Sequence, residues 1–170
     1  SVVVNNYTYV AAEYAGLRML DVSDPSSPQE VGYYLPNFDT GVCVSNGYIY
    51  IANQLGGLKI VDMSDLTSPQ EVCFFNLSGY PQKVYISGTY AYIADGDAGL
   101  RIINVSDPTS PQEVGYYDTG GYSRGIYVSG NYAYVADGDA GLRIIDVSDP
   151  TSPQEVGYYD TSGESRDVYV

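Results

Sequence analysis

The residues of this chain whose types and spacing could do chemistry are carboxylates. Asp95-Gly-Asp97 and Asp137-Gly-Asp139 repeat one pattern 42 residues apart. Paired carboxylates beside a glycine offer hard oxygen ligands to calcium, so all four are calcium candidates. A helix-loop-helix calcium loop would also need a third acidic or amide position and a Glu twelve residues from the first, and neither is present. Asp and Gly equally suit a tight turn with left-handed dihedrals, which is the reading the pattern favours, with calcium the alternative. Ser23-Asp-Pro25, Ser64-Asp-Leu66, Ser106-Asp-Pro108 and Ser148-Asp-Pro150 place serines beside carboxylates. The chain has no histidine, so no Ser-His-Asp triad can be assembled, and no Lys lies near enough for a Ser-Lys pair. Asp and Ser that bond their own backbone, with Pro fixing φ, read as a turn. No catalytic residue is assigned, and the chain is read as a non-enzyme.

Composition narrows the partners. Seven Lys and Arg stand against 21 Asp and Glu, a net charge of −14 over 170 residues. Such a field repels nucleic acid and anionic membrane surfaces. No run of 18 apolar residues exists to insert in a membrane, and no signal peptide is recognisable. The 20 Tyr and three Phe favour strands. Cys43 and Cys73 fall on the innermost and outermost strands of one predicted sheet, roughly 14 Å apart across three strand spacings, too far for a disulfide.

These residues are positioned by a repeat. Leu17-Arg-Met-Leu-Asp21, Leu58-Lys-Ile-Val-Asp62, Leu100-Arg-Ile-Ile-Asn104 and Leu142-Arg-Ile-Ile-Asp146 begin 41, 42 and 42 residues apart. A fixed period of this length marks a propeller, solenoid or array. Within the last unit four strands alternate with turn signals: Gly125–Val128, Tyr132–Ala136, Leu142–Val147 and Glu155–Tyr159. Gly and Pro punctuate every ten residues or so and leave no window for a helix. Four short strands per unit predict an all-β fold, a β-propeller of four-stranded antiparallel blades of about 42 residues. A β-solenoid is the rival; its rungs would be shorter and lack the Asp-Pro turn.

The Leu-x-Ile-Ile-Asp strand, the Val-Ser-Asp-Pro-x-x-Pro turn after it and the Asp-Ala-Gly loop before it resemble the LVIVD repeat family. The likeness spans nearly the whole chain. It is weaker in the first two units, where Ala12-Glu-Tyr-Ala-Gly16 and Asn53-Gln-Leu-Gly-Gly57 replace the acidic loop. The resemblance implies a β-propeller in a prokaryotic secreted or cell-surface protein, and no enzyme chemistry. The leading expectation is therefore an extracellular interaction or scaffold module. An enzyme with its site in the channel or in other domains, and a calcium-dependent adhesin, are the alternatives.

Strand order divides the loops between two faces. Loops after the second and fourth strands share an upper face, which collects the four calcium candidates with Asp118, Arg124, Asp160 and Arg166. Tyr14, Tyr80 and Tyr122 lie in connectors on this face and are candidates for stacking on a ligand. The connectors differ most between units, as a partner-specific surface requires, so Tyr80, Asp118, Tyr122, Arg124, Asp160 and Arg166 are the candidate binding residues for a protein or carbohydrate. The pairs Tyr7/Tyr9, Tyr48/Tyr50, Tyr90/Tyr92 and Tyr132/Tyr134 are expected to fill the core between blades. The cations Arg18, Lys59, Arg101 and Arg143 recur at one place and are expected to pair with a nearby Asp. Leu142 and Ile144 are expected in a filled core between blades. Val168-Tyr-Val170 matches Ser1-Val-Val3, so residues 1–170 read as one four-blade unit excerpted from a larger propeller, with self-association to complete a ring as a further partner reading.

Overall fold

The structure is a computed structural model, and it describes every residue except Ser1, Asn5, 12–15 and 35–38. Tyr14 and parts of the first acidic-loop equivalent and first connector lie outside the described residues. Sixteen strands form four sheets of four. The first blade holds β1 (Val2–Val4), β2 (Tyr7–Ala11), β3 (Leu17–Asp21) and β4 (Gln29–Tyr34). The second holds β5 (Asp39–Ser45), β6 (Tyr48–Asn53), β7 (Gly57–Asp62) and β8 (Gln70–Asn76). The third holds β9 (Lys83–Ser87), β10 (Tyr90–Ala94), β11 (Leu100–Asn104) and β12 (Gln112–Tyr117). The fourth holds β13 (Gly125–Ser129), β14 (Tyr132–Ala136), β15 (Leu142–Asp146) and β16 (Gln154–Tyr159).

Each blade is an antiparallel meander in chain order, and no helix occurs among the described residues. Val-, Ile- and Tyr-rich runs supply side chains that fit a pleated surface buried on both faces. Neighbouring blades meet through their first strands, β1 on β5, β5 on β9 and β9 on β13. The turns behave as their residues require. Asp149 Oδ1 accepts from the Thr151 amide at 3.0 Å and its hydroxyl at 2.7 Å, and Asp24, Asp65 and Asp107 do the same in their units.

Three core clusters fill the three junctions. Tyr92, Leu100 and Ile102 of the third blade pack against Ile126, Val135 and Ile145 of the fourth. Two equivalent clusters join the second blade to the third and the first to the second. The pairing of third and fourth strands shifts register in every blade, because Ile144 opposes Gly157 while Ile145 opposes Glu155. Val156 is thereby left as the extra residue of a bulge, as are Val31, Val72 and Val114. The bulge aims Val114 into the junction cluster.

Two expectations need correction. Leu17, Leu58 and Leu100 are fully buried, but Leu142 and Ile144 are only half-buried, because no blade covers the second face of the fourth sheet. The tyrosine pairs are divided as well. Tyr9, Tyr50 and Tyr92 are core, whereas Tyr7, Tyr48 and Tyr90 are half-buried and Tyr132 is exposed. Cys43 and Cys73 are free, on β5 and β8.

Candidate functional site

The upper face is built from two turns and the connectors that cross them. Gly96 and Gly138 take φ of 57° and 59°, left-handed values that an L side chain resists. Each glycine pairs with the connector to the next blade, Gly96 with Ser123 and Gly138 with Ser165, by reciprocal backbone hydrogen bonds. The approach is close. A Cβ on Gly79 would lie 2.0 Å from the Asp95 carbonyl oxygen, and one on Gly121 2.5 Å from that of Asp137.

This packing splits each carboxylate pair. Asp97 and Asp139 are exposed, while Asp95 and Asp137 are wholly buried. Asp137 Oδ1 accepts from Thr119 Oγ1 at 2.6 Å and Ser123 Oγ at 2.8 Å, and Arg143 Nε stands 3.7 Å from Oδ2. Asp95 receives less. Its Oδ2 accepts from the Gly79 amide at 3.0 Å with Arg101 Nε at 3.8 Å, and Oδ1 has no protein donor. Burial pushes the Asp95 carboxyl up to about 6, against the pull of the Gly79 amide and Arg101 and with the push of Glu113. The inner Asp of each pair is thus a framework residue tying a turn to a connector. No cluster of three or more His, Cys, Asp or Glu placed to hold a metal occurs among the described residues.

Above this framework the structure brings several predicted residues together. Tyr80 is 57% exposed, and its carbonyl accepts from Gln82 Nε2 at 2.7 Å. The same nitrogen reaches the Tyr122 hydroxyl at 3.2 Å, and Gln54 Nε2 reaches Gln82 Oε1 at 3.5 Å. The Arg124 guanidinium lies 4.8 Å from the Tyr122 ring centroid, a cation–π contact. Glu164 then accepts from Arg124 at 2.5 Å and from Arg166 at 2.7 Å. A continuous band of aromatic, amide and charged groups so crosses the second, third and fourth blades. Asp118 and Asp160 sit apart from it in role: each accepts from the amide two residues on and shapes its connector. Gln54, Gln82 and Glu164 are the band members that the sequence did not single out. Their signal was weak, since Gln82 and Glu164 were visible only as parts of divergent connectors.

The recurrent cations pair chiefly with Glu of the adjoining strand rather than with Asp. Arg18, Arg101 and Arg143 meet Glu30, Glu113 and Glu155 at 3.2, 3.2 and 3.5 Å. Each also covers an outer ring, Tyr33, Tyr116 or Tyr158, as Lys59 covers Phe74. On the lower face two grooves lie between blades. One of about 520 Å³ is lined by Tyr7, Tyr9, Met63 and Leu66, and one of about 180 Å³ by Tyr48, Tyr50, Val105 and Pro108.

Comparison with known proteins fixes the family. The LVIVD repeat model matches four times, over residues 2–35, 40–76, 78–119 and 120–161. The chain belongs to the LVIVD repeat family. No curated protein matches it. Among solved structures, this LVIVD chain is similar to the computationally designed Ika8 protein, at 12% identity and TM-score 0.76 over 99% of this chain and 51% of that one. It is similar to the Cps50 (Swd1) β-propeller domain of Myceliophteria thermophila, at 14% identity and TM-score 0.75 over 95% and 58%. It is similar also to BamB of Moraxella catarrhalis, at 17% identity and TM-score 0.69 over 99% and 50%. These likenesses establish the fold, a β-propeller. The LVIVD chain spans about half the length of these structures.

Proposed function

We propose that this LVIVD chain is a non-enzymatic interaction module of an extracellular or cell-surface protein, which holds a protein or carbohydrate partner on its upper face. The observation that carries the reading is the band running from Gln54 through Tyr80, Gln82, Tyr122 and Arg124 to Glu164 and Arg166. An exposed ring beside amide and charged groups suits a sugar face or a peptide, since aromatic faces bind apolar surface and the polar rim sets orientation. The net charge of −14 favours neutral or basic partners. The secreted location rests on the family resemblance.

The test is capture of immobilised polysaccharides and basic peptides by the chain and its variants. Tyr80→Ala and Tyr122→Ala are expected to lower capture at least tenfold with little change in unfolding temperature for Tyr80, whose ring is mostly in solvent. Capture that survives both and is lost on changing the Ser-Asp-Pro turns would move the partner to the lower face. Grafting whole connectors is a poorer test, because Thr119 and Ser123 within Asp118–Arg124 are buried under Asp137. A chelator added during capture addresses the calcium alternative: binding lost with the metal and restored by calcium would make the exposed Asp97 and Asp139 ligands.

A further inference from the structure

The geometry points to a second copy of this chain as the occupant of the uncovered face of the fourth blade, two copies closing one ring of eight blades. Three junctions inside the chain show what that face is built to meet. In each, the second and third strands of one blade offer a Tyr, Ala, Leu and Ile or Met surface, and the next blade covers it. Gly32 and Gly115 complete the fit. A Cβ on either would lie 1.9 or 2.1 Å from the carbonyl oxygen of Leu66 or Pro150 in the next blade's turn.

The fourth blade repeats this surface with nothing on it. Leu142, Ile144 and Tyr134 are half-buried where their counterparts in the earlier blades are at most 5% exposed. Val156 and Tyr159 are 57% and 68% exposed, whereas Val114 and Tyr117 pack against the junction core. A Cβ on Gly157 would find only its own blade's Ile144 Cδ1, at 4.0 Å.

The complementary surface exists at the other end. Val10, Leu20 and Val22 of the first blade occupy the places of Ile51, Val61 and Met63, which are 0, 0 and 8% exposed in the second. All three are only half-buried. The chain therefore carries one uncovered face of each kind, and these match as the internal junctions do. Such a head-to-tail interface closes when the rotation per copy divides the circle. This chain superposes on half of each of three propellers, so two copies complete the turn.

One seat is contested. Tyr169 stacks on Tyr127 at 4.9 Å, as Tyr127 does on Tyr85, and so fills the place that Val2 of an incoming copy would take. Val2–Val4 pair with Tyr7–Tyr9, whereas residues 168–170 pair with no strand and Tyr169 is 85% exposed. The latter segment yields when the ring closes.

Sedimentation equilibrium of the 170-residue chain over a concentration series tests this without any ligand, and so independently of the partner proposed above. The expected mass is twice 18.4 kDa. Val156→Asp and Tyr159→Asp alter one face at exposed positions, and Val22→Asp alters the other. Each is expected to return the mass to 18.4 kDa with the far-ultraviolet spectrum of the folded chain retained. Tyr80→Ala, on the upper face, leaves the doubled mass, and deletion of residues 168–170 leaves or tightens the association. A wild-type chain that stays at 18.4 kDa overturns the proposal. So does a doubled mass that survives Val22→Asp, which would mean like faces meet, or a ladder of higher masses, which would mean the ring does not close. Weakening beyond tenfold on deletion of residues 168–170 would make that segment part of the contact and overturn the docking mode.

Discussion

Asp95 and Asp137 occupy the same place in consecutive blades and are held by different chemistry. Two hydroxyls satisfy Asp137, whereas Asp95 has one amide donor and an oxygen without a protein donor. The cost of burying the Asp95 charge appears as its raised pKa of about 6. The folded state holds this proton more tightly than the unfolded state, so the penalty is present above pH 6 and relieved as pH falls toward the ordinary carboxylate range. Asn53, buried at the equivalent position of the second blade, shows that a neutral side chain fits there. Asp95→Asn is therefore expected to hold or raise the melting temperature at pH 7 and to flatten its rise between about pH 6 and 4. A melting series against pH checks this; an equal loss of stability at both ends would show that the Arg101 contact outweighs burial. Thr119→Val removes one donor from buried Asp137 and is expected to cost about 1–3 kcal/mol in urea unfolding. Thr161→Val, the equivalent change at an exposed site, is expected to cost clearly less, since water replaces the lost partner.

At the scale of the element, the blade is a unit whose stability depends on its neighbours. A sheet with two apolar faces needs cover on each, and repeats supply it to one another. Identical substitutions should then differ with position along the chain. Ile102→Ala, in a filled junction, is expected to cost about 2–5 kcal/mol because it leaves a cavity. Ile144→Ala, at the uncovered face, is expected to cost well under that in the single copy, since solvent already reaches the site. Gly115→Ala drives a methyl onto a backbone carbonyl and is expected to lower the unfolding midpoint strongly, while Gly157→Ala meets open space and leaves it nearly unchanged. Denaturant midpoints of the two pairs decide. Equal costs within each pair would mean that the fourth blade is covered in solution.

For the whole molecule the governing quantity is charge. Six of the seven cations are in ion pairs with carboxylates and Lys59 lies over Phe74, so no cation is left to offset the acidic field at the surface. A net charge of −14 repels itself across a small body. Raising salt from about 0.05 to about 0.5 M shortens the screening length several-fold and is expected to raise the melting temperature. A melting temperature that falls with salt would mean that the ion pairs contribute more than the self-repulsion.

The repeat determined the fold from the sequence alone, because a 42-residue period with four apolar runs has few ways to bury both faces of each sheet. The turns were equally legible, since Asp-Pro and Asp-Gly act on their own backbone within a few residues. The division of faces followed from strand order. Tertiary structure decided what depends on neighbours outside the local window. Nothing in Asp-Gly-Asp reveals that its first carboxylate is buried, because Thr119 and Ser123 reach Asp137 from a connector belonging to the next step of the ring. Ile144 reads like Ile102 in the sequence, and only the presence or absence of the next blade makes one core and the other surface.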